Sequence, residues 1–398
     1  MDDQTNENQE QHEYHRRHFA DRPRLVHSHH MPIQREPLPP RAPAQEFRPL
    51  PPPTGPAPYH LSLEEILPAE QIERIRSSGR IIFQTAGDTG GAKSPESQVM
   101  VLTHMERDFH VSDSSKHPAF FYHLGDVVYF YGEAKQYYSQ FYDPASHYPA
   151  PIFAIPGNHD GDVFDETTSS LEAFVENFCA REPQHTRSAG DALRDAMTQP
   201  NVYWTLETPL VTIIGLYTNV PEGGRIDDQQ TAWLESELAQ APQDKALIVA
   251  LHHPIYSAEG FHSGSTHMGE VLDQAIDRSG RYPDIVLSAH AHNYQRFTRS
   301  WREREIPYFV IGCGGFWQLY PVLLVQNAEP QLPFHIADTD VTLENFCDDR
   351  HGYARIEVTK DILRGDFLTV PRPQERWRAP AVIRDSFTLD LRTHHLVR

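Results

Sequence analysis

Five short apolar runs end in residues of metal-ligating type. IIFQTAGDTG reaches Asp88, FFYHLGDVVY reaches Asp126 and PIFAIPGNHD reaches Asn158. ALIVALHHP reaches His252, and IVLSAHAH supplies both His290 and His292. One Asp or His after a strand is ordinary; five such ends delivering Asp, Asp, Asn, His and His-x-His form a set. Strands of one sheet carry their C-terminal ends to a common edge, where α/β folds keep their ligand sites. Oxygen and imidazole donors in that mixture suit a two-metal hydrolytic centre, whose natural substrates are phosphate esters. Gly87, Gly125 and Pro156-Gly157 precede the first three ligands, giving sharp turns in which backbone can approach an ion closely. His290 and His292, two residues apart, share a face if the segment is extended, and neutral imidazoles are the commonest nitrogen ligands.

The elements that must position these residues can be read from periodicity. Apolar runs at 81–86, 119–124, 151–155, 246–251 and 284–289 are short and rich in Ile, Val and Phe, as in strands covered on both faces. Helical spacing appears at 61–77, interrupted at Pro68, and at 95–109, 168–179 and 227–240, where Trp233, Leu234 and Leu238 share a face. YWTLETP with LVTIIGLYTN, and YARIEVTK with RGDFLTV, read as antiparallel pairs at 203–219 and 353–370. This mixture predicts two packed sheets flanked by helices. Residues 181–200 read as an inserted loop and 320–350 as an irregular segment.

Composition narrows the function classes. The chain has 398 residues, with 35 Lys and Arg against 55 Asp and Glu, a net charge of −20. No clustered basic surface of the kind nucleic acid requires is present, so an anionic substrate must be attracted locally, as bound cations would do. Cys179, Cys313 and Cys347 are scattered without C-x-x-C spacing and build no zinc site. No apolar stretch approaches the ~20 residues of a membrane span. No apolar h-region follows the N-terminus, nor an apolar run the Arg16-Arg17 pair; a cytoplasmic location is expected. Residues 1–60 are polar, rich in proline and carry several histidines, so they read as a disordered tail. A loose metal-binding tract there is the alternative, and deleting residues 1–60 is expected to leave turnover unchanged. The catalytic domain is expected from 75 to 398.

Taken together, GDTG, GDVVY, GNHD, ALHHP and AHAHNYQR resemble the calcineurin-like metallophosphoesterases. More narrowly they resemble the purple acid phosphatases, whose blocks run D-x-G, G-D-x-x-Y, G-N-H-[DE], V-x-x-H and G-H-x-H. All five stand in family order, and QQTAWLESEL is similar to the family's helix before the fourth block. The resemblance implies a four-layer α/β/β/α sandwich in the mixed α/β class. It implies one metal on Asp88, Tyr129 and His292, a second on Asn158, His252 and His290, and Asp126 bridging them. The first donor set, with two carboxylates and a phenolate, favours Fe(III); the second suits a divalent ion such as Fe, Zn or Mn. Two departures matter. Ala289 replaces the usual Gly, a small-for-small change, and Gly90 stands where ordinary superfamily members carry a ligand histidine. Tyr129, three residues after Asp126, either supplies the missing ligand or packs within an aromatic stretch.

The same resemblance implies dinuclear-metal-dependent hydrolysis of small phosphate monoesters by in-line attack of a metal-bound hydroxide. His159 would protonate the leaving alkoxide with Asp160 orienting it, and His262 would bind phosphate where relatives carry paired histidines; Phe261 takes the other position. His253 is expected to be structural or to support a ligand, His267 to be a weaker candidate, and His123 and His104 to be buried structure. The alternatives are a phosphodiesterase acting on nucleotides, cyclic nucleotides or phospholipid head groups, and a binding protein that keeps the fold without the chemistry. All seven candidate ligands are present, which argues against the latter. No nucleic-acid or membrane partner is expected.

Overall fold

The structure is a computed structural model that describes residues 46–164, 167–323 and 328–398. Most of the expected tail, residues 1–45, lies outside the described residues. In chain order the elements are β1 (His60–Ser62), α1 (Ala69–Ser78), β2 (Arg80–Ala86), α2 (Glu96–Arg107), β3 (Phe121–His123), β4 (Ile152–Ala154) and α3 (Glu172–Phe178). There follow β5 (Trp204–Glu207), β6 (Val211–Gly215), α4 (Asp228–Gln240), β7 (Ala246–Ala250), α5 (Thr266–Ser279), β8 (Ile285–Ser288), β9 (Tyr294–Trp301) and β10 (Arg304–Ile311). The last are β11 (Phe334–His335), β12 (Val341–Cys347), β13 (Gly352–Thr359), β14 (Ile362–Thr369), β15 (Val382–Asp390) and β16 (His395–Leu396).

These strands build two sheets. A nine-stranded sheet runs β1-β5-β6-β7-β8-β10-β9-β12-β11, and a seven-stranded sheet runs β16-β15-β14-β13-β2-β3-β4. With helices packed outside them, the layers form the expected four-layer sandwich. Within the second sheet β2, β3 and β4 are parallel neighbours, with Thr85 opposite Tyr122 and Tyr122 opposite Phe153. Within the first, β6, β7 and β8 are parallel neighbours, with Ile213 opposite Ile248 and Ile248 opposite Ile285. Ile81, Phe83, Phe121, Phe153, Ile248, Val249 and Ile285 are buried, as near-continuous apolar strands covered on both faces must be. The five candidate strand ends therefore come from both of the expected sheets, three from one and two from the other.

Local chemistry sets the helix limits. Asp227 caps α4 by accepting from Gln230 N at 2.7 Å, and Ser265 caps α5 by accepting from Met268 N at 3.1 Å. Gly280 ends α5 in the left-handed conformation, with φ of 71°. The helix expected at 61–77 is broken where expected: one turn, Leu63–Ile66, ends before Pro68 and α1 begins after it. Both expected hairpins form, β5 with β6 and β13 with β14. No helix among the described residues is long and apolar enough to cross a membrane.

Two expectations need correction. Residues 320–350 are not wholly irregular, since β12 pairs with β9 across a register shift between Leu343 and Asn345. The shift breaks the period-two alternation that would have marked a strand. Residues 46–60 are not a free tail either. Thr54 and Gly55 donate to Pro200 O at 3.0 and 2.9 Å, and Trp233 Nε1 donates to Pro58 O at 2.7 Å. Arg48 and Asn219 exchange a reciprocal pair, Arg48 N to Asn219 Oδ1 at 2.7 Å and Asn219 Nδ2 to Arg48 O at 2.9 Å. Proline-rich backbone cannot enter a sheet ladder fully, but its carbonyls still accept, and composition alone conceals that. A chain beginning at residue 61 should lose these bonds, each contributing about 1 kcal/mol. It should melt on the order of 5–10 °C below the full chain by differential scanning calorimetry; an unchanged midpoint would contradict the strap.

Candidate metal centre

Three of the candidate strand ends turn sharply. Asp88, Asp126 and His290 take φ of 54°, 55° and 64°, a left-handed conformation that side chains other than glycine rarely adopt. Three such residues at adjoining strand ends mark a site whose surroundings over-determine the backbone. The turns are also tight. A Cβ on Gly157 would lie 2.1 Å from Asp126 Oδ1, so only glycine lets that carboxylate pass beneath the turn.

Two groups of donor atoms converge there. In the first, Tyr129 Oη donates to Asp88 Oδ1 at 3.0 Å, and His292 Nε2 stands 3.5 Å from both oxygens. In the second, His252 Nε2 stands 3.1 Å from Asn158 Oδ1 and 3.5 Å from Asp126 Oδ1. Asp88 also ties the second group to the first, its Oδ2 accepting from His290 N at 2.8 Å. Asp88, Asp126, Tyr129, His252, His290 and His292 are buried, and Asn158 is half-buried.

The histidine tautomers are fixed from behind. His252 Nδ1 donates to Leu124 O at 2.8 Å and His292 Nδ1 to Gln318 O at 3.2 Å. A carbonyl only accepts, so each Nδ1 carries the proton and each Nε2 lone pair faces the oxygen donors. Lone pairs facing oxygens at 3.1–3.5 Å repel unless a cation or a proton lies between them. Burial lowers the His252 pKa, but the Asp126 carboxylate more than offsets this, raising it to about 9. Asp126 Oδ2 is buried with no hydrogen-bond partner among the described residues. Burial together with the Asp126 and Asp88 carboxylates pushes the Tyr129 hydroxyl well above its usual range, so a phenolate there requires a strong cation. The residues present thus fit a pair of metal ions.

Gly90 explains why Tyr129 occupies this place. A Cβ at residue 90 would lie 2.7 Å from Tyr129 Cδ2 and 2.5 Å from Gln140 Oε1. A side chain at residue 90 and the Tyr129 ring are mutually exclusive in this packing. Ala289, the other departure, lies 2.5 Å from where a Gly87 Cβ would be, so glycine at 87 makes room for alanine at 289.

His159 N donates to Asp126 Oδ1 at 3.0 Å and its Nδ1 donates to Phe130 O at 2.9 Å, leaving Nε2 turned away from the backbone. Asp160 does not orient it. Its carboxylate accepts from Val127, Val128 and Gly157 amides at 2.9–3.2 Å, clamping two ligand turns together. Burial and the nearby Asp126 charge raise its pKa to about 7. Asp160 is thus a structural clamp where a catalytic partner had been expected. His262 does reach the site, its ring centroid 4.3 Å from that of His290 and 5.7 Å from that of His292. His253 is buried with Nδ1 2.7 Å from Thr218 Oγ1, and His267 is exposed. His123 pairs with Thr89 Oγ1 at 2.8 Å and His104 with Met100 O at 2.8 Å, both buried structure as expected.

The family comparison joins this geometry. Residues 86–294 match the calcineurin-like phosphoesterase family. The chain belongs to the calcineurin-like phosphoesterases. Among curated relatives, this phosphoesterase is 27% identical over 131 residues to purple acid phosphatase 22 of Arabidopsis thaliana, covering 30% of this chain and 29% of that one. It is 22% identical over 185 residues to the probable glycerophosphodiester phosphodiesterase GpdQ of Arcobacter nitrofigilis, covering 45% of this chain and 60% of that one. The matches therefore span less than two thirds of either relative. Among solved structures, the purple acid phosphatase PPD1 from yellow lupin (Lupinus luteus) seeds shares the fold at a TM-score of 0.51 and 17% identity, over 78% of this chain and 54% of that one.

One residue of the phosphoesterase site escaped sequence reasoning. Glu222 Oε1 lies 3.3 Å from His290 Nε2 and 3.4 Å from His262 Nδ1. A signal existed: β6 lies beside β7, so the loop after it must open on the same sheet edge as His252.

Proposed function

We propose that the protein hydrolyses small phosphate monoesters at a dinuclear centre. Asp88, Tyr129 and His292 would hold one ion, Asn158, His252 and His290 the other, and Asp126 both. The observation that carries this reading is a buried Asp126 Oδ2 with no hydrogen-bond partner among the described residues, beside a His252 Nε2 directed at Asp126 Oδ1 and Asn158 Oδ1. Bound ions would make water a nucleophile near neutral pH and offset charge on the phosphoryl group. The chain's own residues do the rest. Phe130 O holds His159 by its Nδ1, so its Nε2, once protonated, can donate to the departing alkoxide. His262, above His290, would hold a phosphoryl oxygen. The anionic first donor set supports Fe(III) there, with a divalent Fe, Zn or Mn ion in the second.

The relation to a probable glycerophosphodiester phosphodiesterase supports diester hydrolysis as a second reading. Turnover of 4-nitrophenyl phosphate should exceed that of bis-4-nitrophenyl phosphate by at least about tenfold, one decade being 1.36 kcal/mol of transition-state preference. The reverse order would install the diesterase. No turnover of either substrate by metal-replete protein would leave only the fold.

A further inference from the structure

We propose that Glu222 is a carboxylate donor to the second metal ion, sharing it with His290. This rests on the two-metal reading and adds a ligand to the set that the five sequence blocks provide. Glu222 lies in the loop between β6 and α4, outside all five blocks. The loop is held on several sides. Gly224 N donates to Pro221 O at 2.8 Å, Arg225 N to Thr218 O at 2.7 Å, and Asn219 is clasped by Arg48. A Cβ on Gly224 would meet the His253 ring at 3.0 Å, so the loop backbone lies directly on the histidine cluster. Glu222, although exposed, is thereby held at the edge of the centre.

The separation of the donor atoms suits an ion shared between them. Donors bound at about 2.0–2.2 Å in a tetrahedral spread lie roughly 3.3–3.6 Å apart. The Glu222 Oε1 to His290 Nε2 distance is 3.3 Å, between the 3.1 and 3.5 Å that His252 Nε2 makes with Asn158 and Asp126. Single donor atoms of Glu222, His262 and His290 all lie within 4.8 Å of one another. The Glu222 side chain remains 45% exposed, so it closes the open side of the centre without being part of its core. A second carboxylate makes the second site more anionic and so tightens its hold on a divalent ion. His262 then acts twice, facing substrate and steadying the Glu222 oxygen.

The test uses the full chain, stripped with a chelator and refilled with Co(II). Titration calorimetry gives the affinity of each equivalent, and the visible d–d bands report coordination number. In Glu222→Gln the second equivalent should bind at least about tenfold more weakly while the first is unchanged, the scale seen even for residues that only support a ligand. The band intensity of the second ion should change as one oxygen donor is lost. Unchanged affinity would overturn the proposal. So would weaker binding with an unchanged spectrum, because charge alone would then account for it. Glu222→Ala provides the same two readings should glutamine disturb the loop, and metal-free melting confirms the fold of each variant. A wild-type chain that takes up fewer than two ions would refute the two-metal reading itself, and this proposal with it, before any variant is made.

Discussion

Asp126→Asn should turn over substrate about 10²–10³-fold more slowly, or below detection, the scale of removing one preorganised charge from a reaction centre. The same change should erase most of the thermal stabilisation that metal confers. At a metal concentration one hundred times its dissociation constant, binding stabilises a protein by about 2.7 kcal/mol. If losing the shared carboxylate weakens binding by about 100-fold, the gain falls to roughly 0.4 kcal/mol at that concentration. Melting curves with and without metal should therefore separate clearly for the wild type and nearly coincide for the variant. The substitution is nearly isosteric, and an amide can still accept from His159 N, which sits 3.0 Å from Asp126 Oδ1. Circular dichroism of the metal-free variant should match the wild type. Wild-type activity in Asp126→Asn, or an undiminished metal-dependent shift, would remove the bridging role.

What the sequence reveals depends on how locally each feature is determined. The strand-end candidates are legible because each lies within a few residues of a buried apolar run, the first two also beside a glycine turn, as IIFQTAGD and FFYHLGD show. Which sheet each strand joins is not local. Only the chain of pairings from β4 through β3 and β2 to β13, and from β7 through β8 to β10, shows that two sheets contribute. Adjacency in sequence also misleads. His159 and Asp160 look like a catalytic histidine with its orienting acid, but both lie on the one-turn helix Asn158–Gly161. Successive helical side chains point about 100° apart, so when one faces the substrate the next faces elsewhere. Asp160 accordingly reaches back to the amides of Val127 and Val128. Glu222 carries no motif; its place follows from strand order and from the clasp between Arg48 and Asn219, contacts 171 residues apart.

On the proposed ligand set the first-site metal turns on Tyr129, and Tyr129→Phe isolates it. The ring is buried, with its centroid 4.4 Å from Phe316 and 4.6 Å from His159, contacts that phenylalanine preserves. The hydroxyl alone is lost, with its bond to Asp88 Oδ1 at 3.0 Å and its 3.5 Å approach to His292 Nε2. The fold should therefore survive, at a cost of about 1 kcal/mol for one hydrogen bond. The chemistry should not. Burial beside two carboxylates disfavours the phenolate strongly, so only a highly charged cation can hold it, and Fe(III) is the ion that gains most from an anionic oxygen set. Freshly purified wild type should then show a phenolate-to-iron charge-transfer band in the visible, and Tyr129→Phe should be colourless. Iron in the variant should fall by half or more relative to the second metal by elemental analysis, and turnover should drop roughly 10²-fold, the lower end of the loss for one electrostatic contributor. A colourless wild type carrying two zinc or manganese ions would keep the hydrolase and discard the iron. A coloured Tyr129→Phe would place the chromophore on another tyrosine. Gly90 makes the test sharp: with no side chain at residue 90 to take over, nothing at that position can stand in for the missing phenol.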